Sequence, residues 1–133
     1  MSSAETDLDS LKSLYEDWGH GDFSGHRAIF HPVMTAETFG MGEPIRSESY
    51  DGFLDDMREW LSTWERPLRI EAEEFIQVGD RILVLIHWSG RGKESGAEIE
   101  GRGAHLWTFR DGLVVRHETY RDRGTARAAL ERR

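Results

Sequence analysis

The sequence predicts an α+β domain in which N-terminal helices cover one face of a cone-shaped, curved antiparallel sheet. Helical spacing of apolar residues dominates the first half of the chain, and strand-like segments joined by short turns fill the second half. A strand of about eleven residues spans about 36 Å, longer than a flat sheet in a small domain allows, so the sheet must curve. With 133 residues, the whole chain 1–133 is expected to form one domain.

Two helices and a strand are predicted before residue 45. Apolar residues at spacings of three and four predict a first helix that ends at the Gly-rich residues 19–22. A short second helix is expected around residues 23–30, stopped by Pro32, and a strand over 34–39, followed by a loop at 40–44. The stripe of the first helix comprises Leu8, Leu11, Leu14, Tyr15 and Trp18.

A long amphipathic helix is predicted over residues 49–64, because its apolar residues share one face and its charged residues fall elsewhere. That face comprises Tyr50, Phe53, Leu54, Met57, Trp60, Leu61 and Trp64. Four strands are predicted after it, joined by hairpins, since the segments are rich in β-branched and aromatic residues and are separated by Gly-containing turns. A short closing helix is expected over 125–130. The predicted strands cover 68–78, 81–90, 99–109 and 113–120.

Composition excludes several classes of function. Seventeen Lys and Arg against twenty-five Asp and Glu give a net charge of −8, which disfavours nucleic acid as a partner. The chain has no Cys, so disulfides, thiol nucleophiles and Cys-based zinc sites are excluded. The N-terminus is acidic and polar, and no apolar window approaches membrane-spanning length. We therefore expect a cytoplasmic protein without a membrane partner.

The element order and the ending DGLVVRHETYRDRGTARAA resemble the SnoaL-like members of the nuclear transport factor 2 superfamily. The resemblance covers nearly the whole chain and implies a cone whose interior is lined by alternate strand residues. This fold is shared by polyketide cyclases, ketosteroid isomerase, scytalone dehydratase and non-catalytic modules, so it does not by itself define an activity. An inward Asp, as cyclases and isomerases use, is not evident on the last strands, and histidine pairs are closer to the scytalone dehydratase arrangement.

The resemblance also implies which residues face the hollow. On the last two strands these are His105, Trp107, His117 and Thr119, and the strand before them is expected to contribute His87 and Ser89. Met34 and Thr38 would face inward from the first strand.

Imidazole titrates near neutral pH, so it can move protons without a large shift in pKa. We expect His105 and His117 to act as general base and acid, or else to be ordinary half-buried histidines bonded to neighbours. His87 would be a third polar contact, and Thr119, Ser89 and Tyr15 would hydrogen-bond a substrate oxygen. A metal site is the competing use of these histidines, but neither His-x-His nor a full HExxH pattern occurs, so no metal ligand is assigned. Neither a dinucleotide nor a flavin fingerprint is present, so no cofactor is expected.

Aromatic side chains are expected either to line a pocket for a flat apolar ligand or to pack in the core. They are Tyr15, Trp18, Trp60, Trp64 and Trp107. The apolar Ile86, Trp88, Leu106 and Val114 are expected on the convex face, which would make that face a dimer interface. The predicted function is an acid/base enzyme of isomerase, cyclase or dehydratase type, acting on an apolar cyclic or polyketide-like molecule. The alternative is a non-catalytic ligand carrier or dimerisation module of the same fold.

Overall fold

A computed structural model describes residues 3–40 and 43–132. Within them a six-stranded sheet has the order β2-β1-β6-β5-β4-β3, with β1 parallel to β6 and the other neighbours antiparallel. The sheet is open, with β2 and β3 at its edges. The described elements are α1 (Ser3–Gly19), β1 (Phe30–Phe39), β2 (Ile45–Ser47), α2 (Tyr50–Leu61), β3 (Trp64–Val78), β4 (Arg81–Gly92), β5 (Glu98–Arg110), β6 (Leu113–Tyr120) and α3 (Arg123–Glu131).

The concave face of the sheet carries the main core, packed against α1 and α2. Burial of these apolar side chains is the main stabilising contribution to the fold. α2 starts where the Ser49 hydroxyl accepts a hydrogen bond from the Gly52 amide, 3.0 Å away, which satisfies one unpaired amide of the first turn. The buried core includes Leu11, Leu14, Tyr15 and Trp18 of α1, Met34 of β1, Tyr50 of α2, Ile82, Val84 and Ile86 of β4, and Trp107 and Phe109 of β5.

The convex face is covered by α3, which begins where the Asp122 carboxylate accepts a hydrogen bond from the Thr125 amide at 2.7 Å. Arg123 ties the helix to the sheet, because its guanidinium donates to the carbonyls of Ile86 (2.8 Å) and Gly103 (3.1 Å). The second core lies under α3 and comprises Leu83, Leu85, Ala104, Leu106, Tyr120, Ala126, Ala129 and Leu130.

The α+β fold and its curved, open sheet are confirmed, with changes at several boundaries. The predicted helix over 23–30 is wrong: the structure has a 3-10 turn at Arg27–Ile29, and β1 starts at Phe30. Pro32 fits inside β1 because the pairing with β6 is interrupted between Phe30 and Thr35, where a missing amide costs no ladder hydrogen bond. Met41 and Gly42 of the predicted loop lie outside the described residues.

Two other boundaries differ around α2. The three-residue strand β2 precedes it and was not predicted. The helix ends at Leu61 instead of continuing to residue 64, because Trp64 is the first residue of β3 and pairs with Gly92. No helix in the described part of the chain is long and apolar enough to cross a membrane.

The predicted orientation of β4 is wrong. Val84 pairs with His105 and Ile86 with Gly103, so the even-numbered residues of β4 share the concave face with His105. His87 and Ser89 alternate with them and therefore face the convex side.

The expected apolar convex patch is mostly wrong as well. Ile86 and Trp88 belong to the concave core. Val114 joins them because an irregularity between Thr108 and Phe109 shifts the register of β5 against β6. Leu106 does face the convex side, where α3 covers it. The dimer through this face stays a prediction.

Candidate functional site

A hydrogen-bonded polar cluster lies between α1 and the last two strands, formed by Tyr15, His105, Trp107, His117 and Thr119. The register pairs His105 with Thr119 and Trp107 with His117, which places these four side chains side by side on the concave face. The Trp107 indole donates a hydrogen bond to the Tyr15 hydroxyl at 2.8 Å. That hydroxyl lies 2.5 Å from Nδ1 of His105.

The proton positions in this chain follow from the donor inventory. An indole N–H can only donate, so the Tyr15 oxygen is the acceptor of the bond from Trp107. The single hydroxyl proton of Tyr15 is then available for His105 Nδ1, which accepts it. Neutral His105 therefore carries its own proton on Nε2. Its Nδ1 is occupied by a protein partner and cannot serve as a base.

His117 lies next to this chain. Its ring centroid is 4.8 Å from that of His105 and 4.1 Å from that of Trp107. Its Nε2 is 3.1 Å from the Thr119 hydroxyl. Its Nδ1 is buried and has no hydrogen-bond partner among the described residues.

Burial makes all of these groups neutral at physiological pH. Desolvation lowers the pKa of the His105 imidazole to about 3. Desolvation, reinforced by the neighbouring His105, lowers the pKa of His117 well below its usual value. Burial also raises the pKa of the Tyr15 hydroxyl well above its usual value. Neither imidazole is a proton donor of the imidazolium type near pH 7.

A separate hollow lies beside α2, with a volume of about 860 Å³. It lies between the loop at residues 21–27, α2, the start of β3 and the β4–β5 hairpin, and we call it the α2 hollow. Neither His105 nor His117 lines it. Its apolar lining is Phe23, Tyr50, Leu54, Met57, Leu61, Trp64 and Leu68, and its charged lining is Asp22, Arg27, Arg58, Glu65, Arg66 and Lys93.

Aromatic rings separate the α2 hollow from the polar cluster. Trp18 lies between the two on the α1 side, with ring centroids 6.1 Å from His105 and 5.6 Å from Phe23. On the α2 side the Phe53 ring is 5.2 Å from His117. His105 is only 5% and His117 only 4% exposed, so the two imidazoles are shielded from solvent, whereas Thr119 is half-buried. The ring of Tyr15 does form part of a smaller groove between α1 and β3.

The structure brings together some of the predicted site residues and separates others. Met34 is fully buried in the core. Thr38 pairs with Thr119 and shares its face of the sheet. His87 lies outside the cone, with its Nε2 3.5 Å from a carboxylate oxygen of Glu100. Ser89 faces the same convex side.

Two of the predicted tryptophans, Trp60 and Trp64, pack together with Trp88. Trp60 and Trp64 pack edge to face with Trp88, at centroid distances of 6.1 and 5.4 Å. Trp64 lines the α2 hollow, whereas Trp60 does not and is 38% exposed. Gly101 makes room for this cluster, because a Cβ there would meet the Trp88 ring at 2.7 Å.

The charged lining of the α2 hollow was not predicted from the sequence. Arg58, Arg66 and Lys93 come from α2, β3 and the β4–β5 hairpin. One sequence feature could have indicated it: Arg58 directly follows Met57, at the edge of the apolar face of α2. Within residues 3–40 and 43–132, no group of three or more His, Asp or Glu side chains is placed to hold a metal ion.

Residues 11–117 match the sequence profile of the SnoaL-like domain. The protein therefore belongs to the SnoaL-like family, which confirms the resemblance seen in its sequence. No curated protein matches it at a significant level.

Solved structures of similar length show the same fold. A candidate SnoaL-like polyketide cyclase from Jannaschia sp. CCS1 is 14% identical, covering 100% of this chain and 96% of its own, with a TM-score of 0.77. TerC, co-crystallised with polyporic acid, is 20% identical, with coverage of 96% and 99% and a TM-score of 0.71. A candidate isomerase from Bacillus subtilis is 18% identical, with coverage of 90% and 88% and a TM-score of 0.73.

Proposed function

We propose that this protein binds a small organic molecule in the α2 hollow and that its buried histidines stabilise the fold instead of moving protons. One observation carries the proposal: both histidines are bonded to protein partners and lie outside a hollow that is large enough for a ligand. Ligand pockets in proteins are typically about 300–1,000 Å³, and the volume of the α2 hollow, about 860 Å³, lies within this range.

The lining favours a flat, apolar-bodied ligand. Phe23, Tyr50 and Trp64 present aromatic surfaces, and Leu54 and Met57 add flexible apolar contacts. The structural neighbour TerC was co-crystallised with polyporic acid, which supports an organic ligand for a protein of this fold.

Binding of N-phenyl-1-naphthylamine, which fluoresces more strongly in apolar surroundings, tests the proposal. Met57→Trp fills part of the hollow, and we expect it to weaken probe binding by about tenfold or more. Val78→Trp is the control, because Val78 is 46% exposed and lies outside the hollow. Probe binding that is absent from the native protein, or that is equal in Met57→Trp, would contradict the proposal.

An acid/base enzyme is the second candidate, and the unpartnered Nδ1 of His117 is the observation that favours it. A neutral imidazole with a free nitrogen can accept a proton from a hydroxyl or a carbon acid. The structural neighbours named as cyclase and isomerase also support this candidate. Phe53 packs against His117 at a centroid distance of 5.2 Å, and His117 does not line the hollow.

Diethyl pyrocarbonate, which modifies accessible neutral imidazoles, separates the two candidates. Peptide mass spectrometry is expected to show fast modification of the exposed His20 and protection of His105 and His117. Modification of His117 at a rate close to that of His20 would favour the enzyme.

A further inference from the structure

We infer that the ligand of the α2 hollow is an amphipathic organic anion, with an apolar body and a carboxylate or a similar acidic group. This inference rests on the proposed binding function and specifies its ligand class. It follows from the charges around the hollow and from their lack of partners.

The charge at the hollow is opposite to that of the protein. The protein carries a net charge of −8, yet the lining of the hollow has four cationic side chains and two acidic ones. A local excess of positive charge in a concave surface concentrates anions from solution. The cationic side chains are Arg27, Arg58, Arg66 and Lys93.

The two acidic residues have partners of their own. A carboxylate oxygen of Glu65 lies 3.5 Å from Arg91, which does not line the hollow. Asp22 accepts hydrogen bonds from the amide and hydroxyl of Ser24, at 3.0 and 2.6 Å. Neither acid neutralises a cation of the lining.

Three of the four cations, by contrast, make no ion pair within the described residues. They are Arg58, Arg66 and Lys93, and we call them the basic rim. Arg27 differs, because it lies 3.4 Å from Asp51 and stacks over the Tyr50 ring at 4.8 Å. The basic rim therefore offers unpaired charge beside apolar surface.

The local fold holds the basic rim in place. The amide of Lys93 donates a 3.1 Å hydrogen bond to the carbonyl of Thr63, which fixes the β4–β5 hairpin beside the turn after α2. Arg58 lies in the last turn of α2, and Arg66 lies near the start of β3. All three residues contribute to the lining of the hollow.

The basic rim favours an acid group on the ligand. A carboxylate or sulfonate would gain charge-assisted hydrogen bonds from the guanidinium and ammonium groups that line the hollow.

Two probes that differ by a single sulfonate test the inference. 1-Anilinonaphthalene-8-sulfonate is the anionic relative of N-phenyl-1-naphthylamine. In the triple variant Arg58→Gln, Arg66→Gln, Lys93→Gln we expect about tenfold weaker binding of the sulfonate and a change of less than about twofold for the neutral probe.

Arg110→Gln is the charge control, because Arg110 lies at the other end of β5 from the β4–β5 hairpin, where Lys93 is found. It should leave the binding of both probes unchanged. Unchanged sulfonate binding in the triple variant, or an equal loss for both probes, would overturn the anionic ligand class while leaving the hollow as a binding site. Binding of both probes that is insensitive to Met57→Trp would instead overturn the proposed function itself.

Discussion

The polar cluster and the α2 hollow lie on the same concave side of the sheet, and their side chains differ in every respect that bears on function. The polar cluster has two buried, neutral imidazoles, and its Tyr15 hydroxyl is hydrogen-bonded to Trp107 and His105. The α2 hollow is open, partly apolar and bordered by unpaired cations. Under the proposed function, residues that look reactive in the sequence stabilise the fold, and binding belongs to residues that form no recognised motif.

Of these two regions, the polar cluster is expected to contribute more to the free energy of unfolding. Trp107 is fully buried, so Trp107→Ala should lower the free energy of unfolding by about 3–5 kcal/mol, through lost packing and an unpaired Tyr15 hydroxyl. Urea denaturation measures this. Trp60→Ala is the control, and it should cost about 1 kcal/mol or less because Trp60 is partly exposed. Equal losses in the two variants would remove the contrast between the regions.

A pH dependence should also come from the polar cluster. Below the unfolded-state pKa of about 6.5 the unfolded chain binds a proton at His105, and the folded chain does not until its pKa of about 3. The free energy of unfolding therefore has its full value above about pH 6.5 and decreases as the pH falls toward the folded-state pKa of about 3. His105 alone should lower the free energy of unfolding by about 2 kcal/mol between pH 6.5 and pH 5. The lowered pKa of His117 acts in the same direction.

Urea denaturation at several pH values measures how steeply the free energy of unfolding falls as the pH is lowered. His105→Gln should reduce this slope, whereas His20→Gln should leave it unchanged, since His20 is exposed. A wild-type stability that stays constant from pH 6.5 to pH 5 would show that the imidazoles are not buried as described.

Removal of one hydroxyl gives a smaller effect within the polar cluster. Tyr15→Phe leaves both the Trp107 indole and His105 Nδ1 without their partner, at a cost of about 1–3 kcal/mol. Tyr50→Phe on the wall of the hollow should cost less, because no hydrogen bond of its hydroxyl is found within the described residues. Thermal unfolding of the two variants compares them, and a larger loss in Tyr50→Phe would contradict the assignment.

Much of the fold could be predicted from the sequence, because helix and strand periods are distinct. The stripe of α2 and the hairpin turns after residue 78 indicated their elements directly. The orientation of β4 could not be predicted the same way: residues 82–86 are apolar at every position, since α1 lies on one face and α3 on the other. Only the polar residues at 87, 89 and 91 indicated which side faces outward.

The candidate site was predicted less well. The convergence of His105 and His117 followed from strand alternation and the family resemblance, and the structure places the two rings side by side. Their sealing by Trp18 and Phe53 depends on how two helices pack, which strand alternation does not specify. The basic rim was missed because its residues lie on α2, β3 and the β4–β5 hairpin, which line one hollow only in the folded protein.

The affinity of N-phenyl-1-naphthylamine for Tyr15→Phe and Met57→Trp, measured side by side, tests the division between the two regions most directly. We predict that Tyr15→Phe, although less stable, binds the probe as the native protein does, and that Met57→Trp, although folded, binds it about tenfold more weakly. Loss of binding in Tyr15→Phe with retention in Met57→Trp would place the ligand at the histidines and contradict this account.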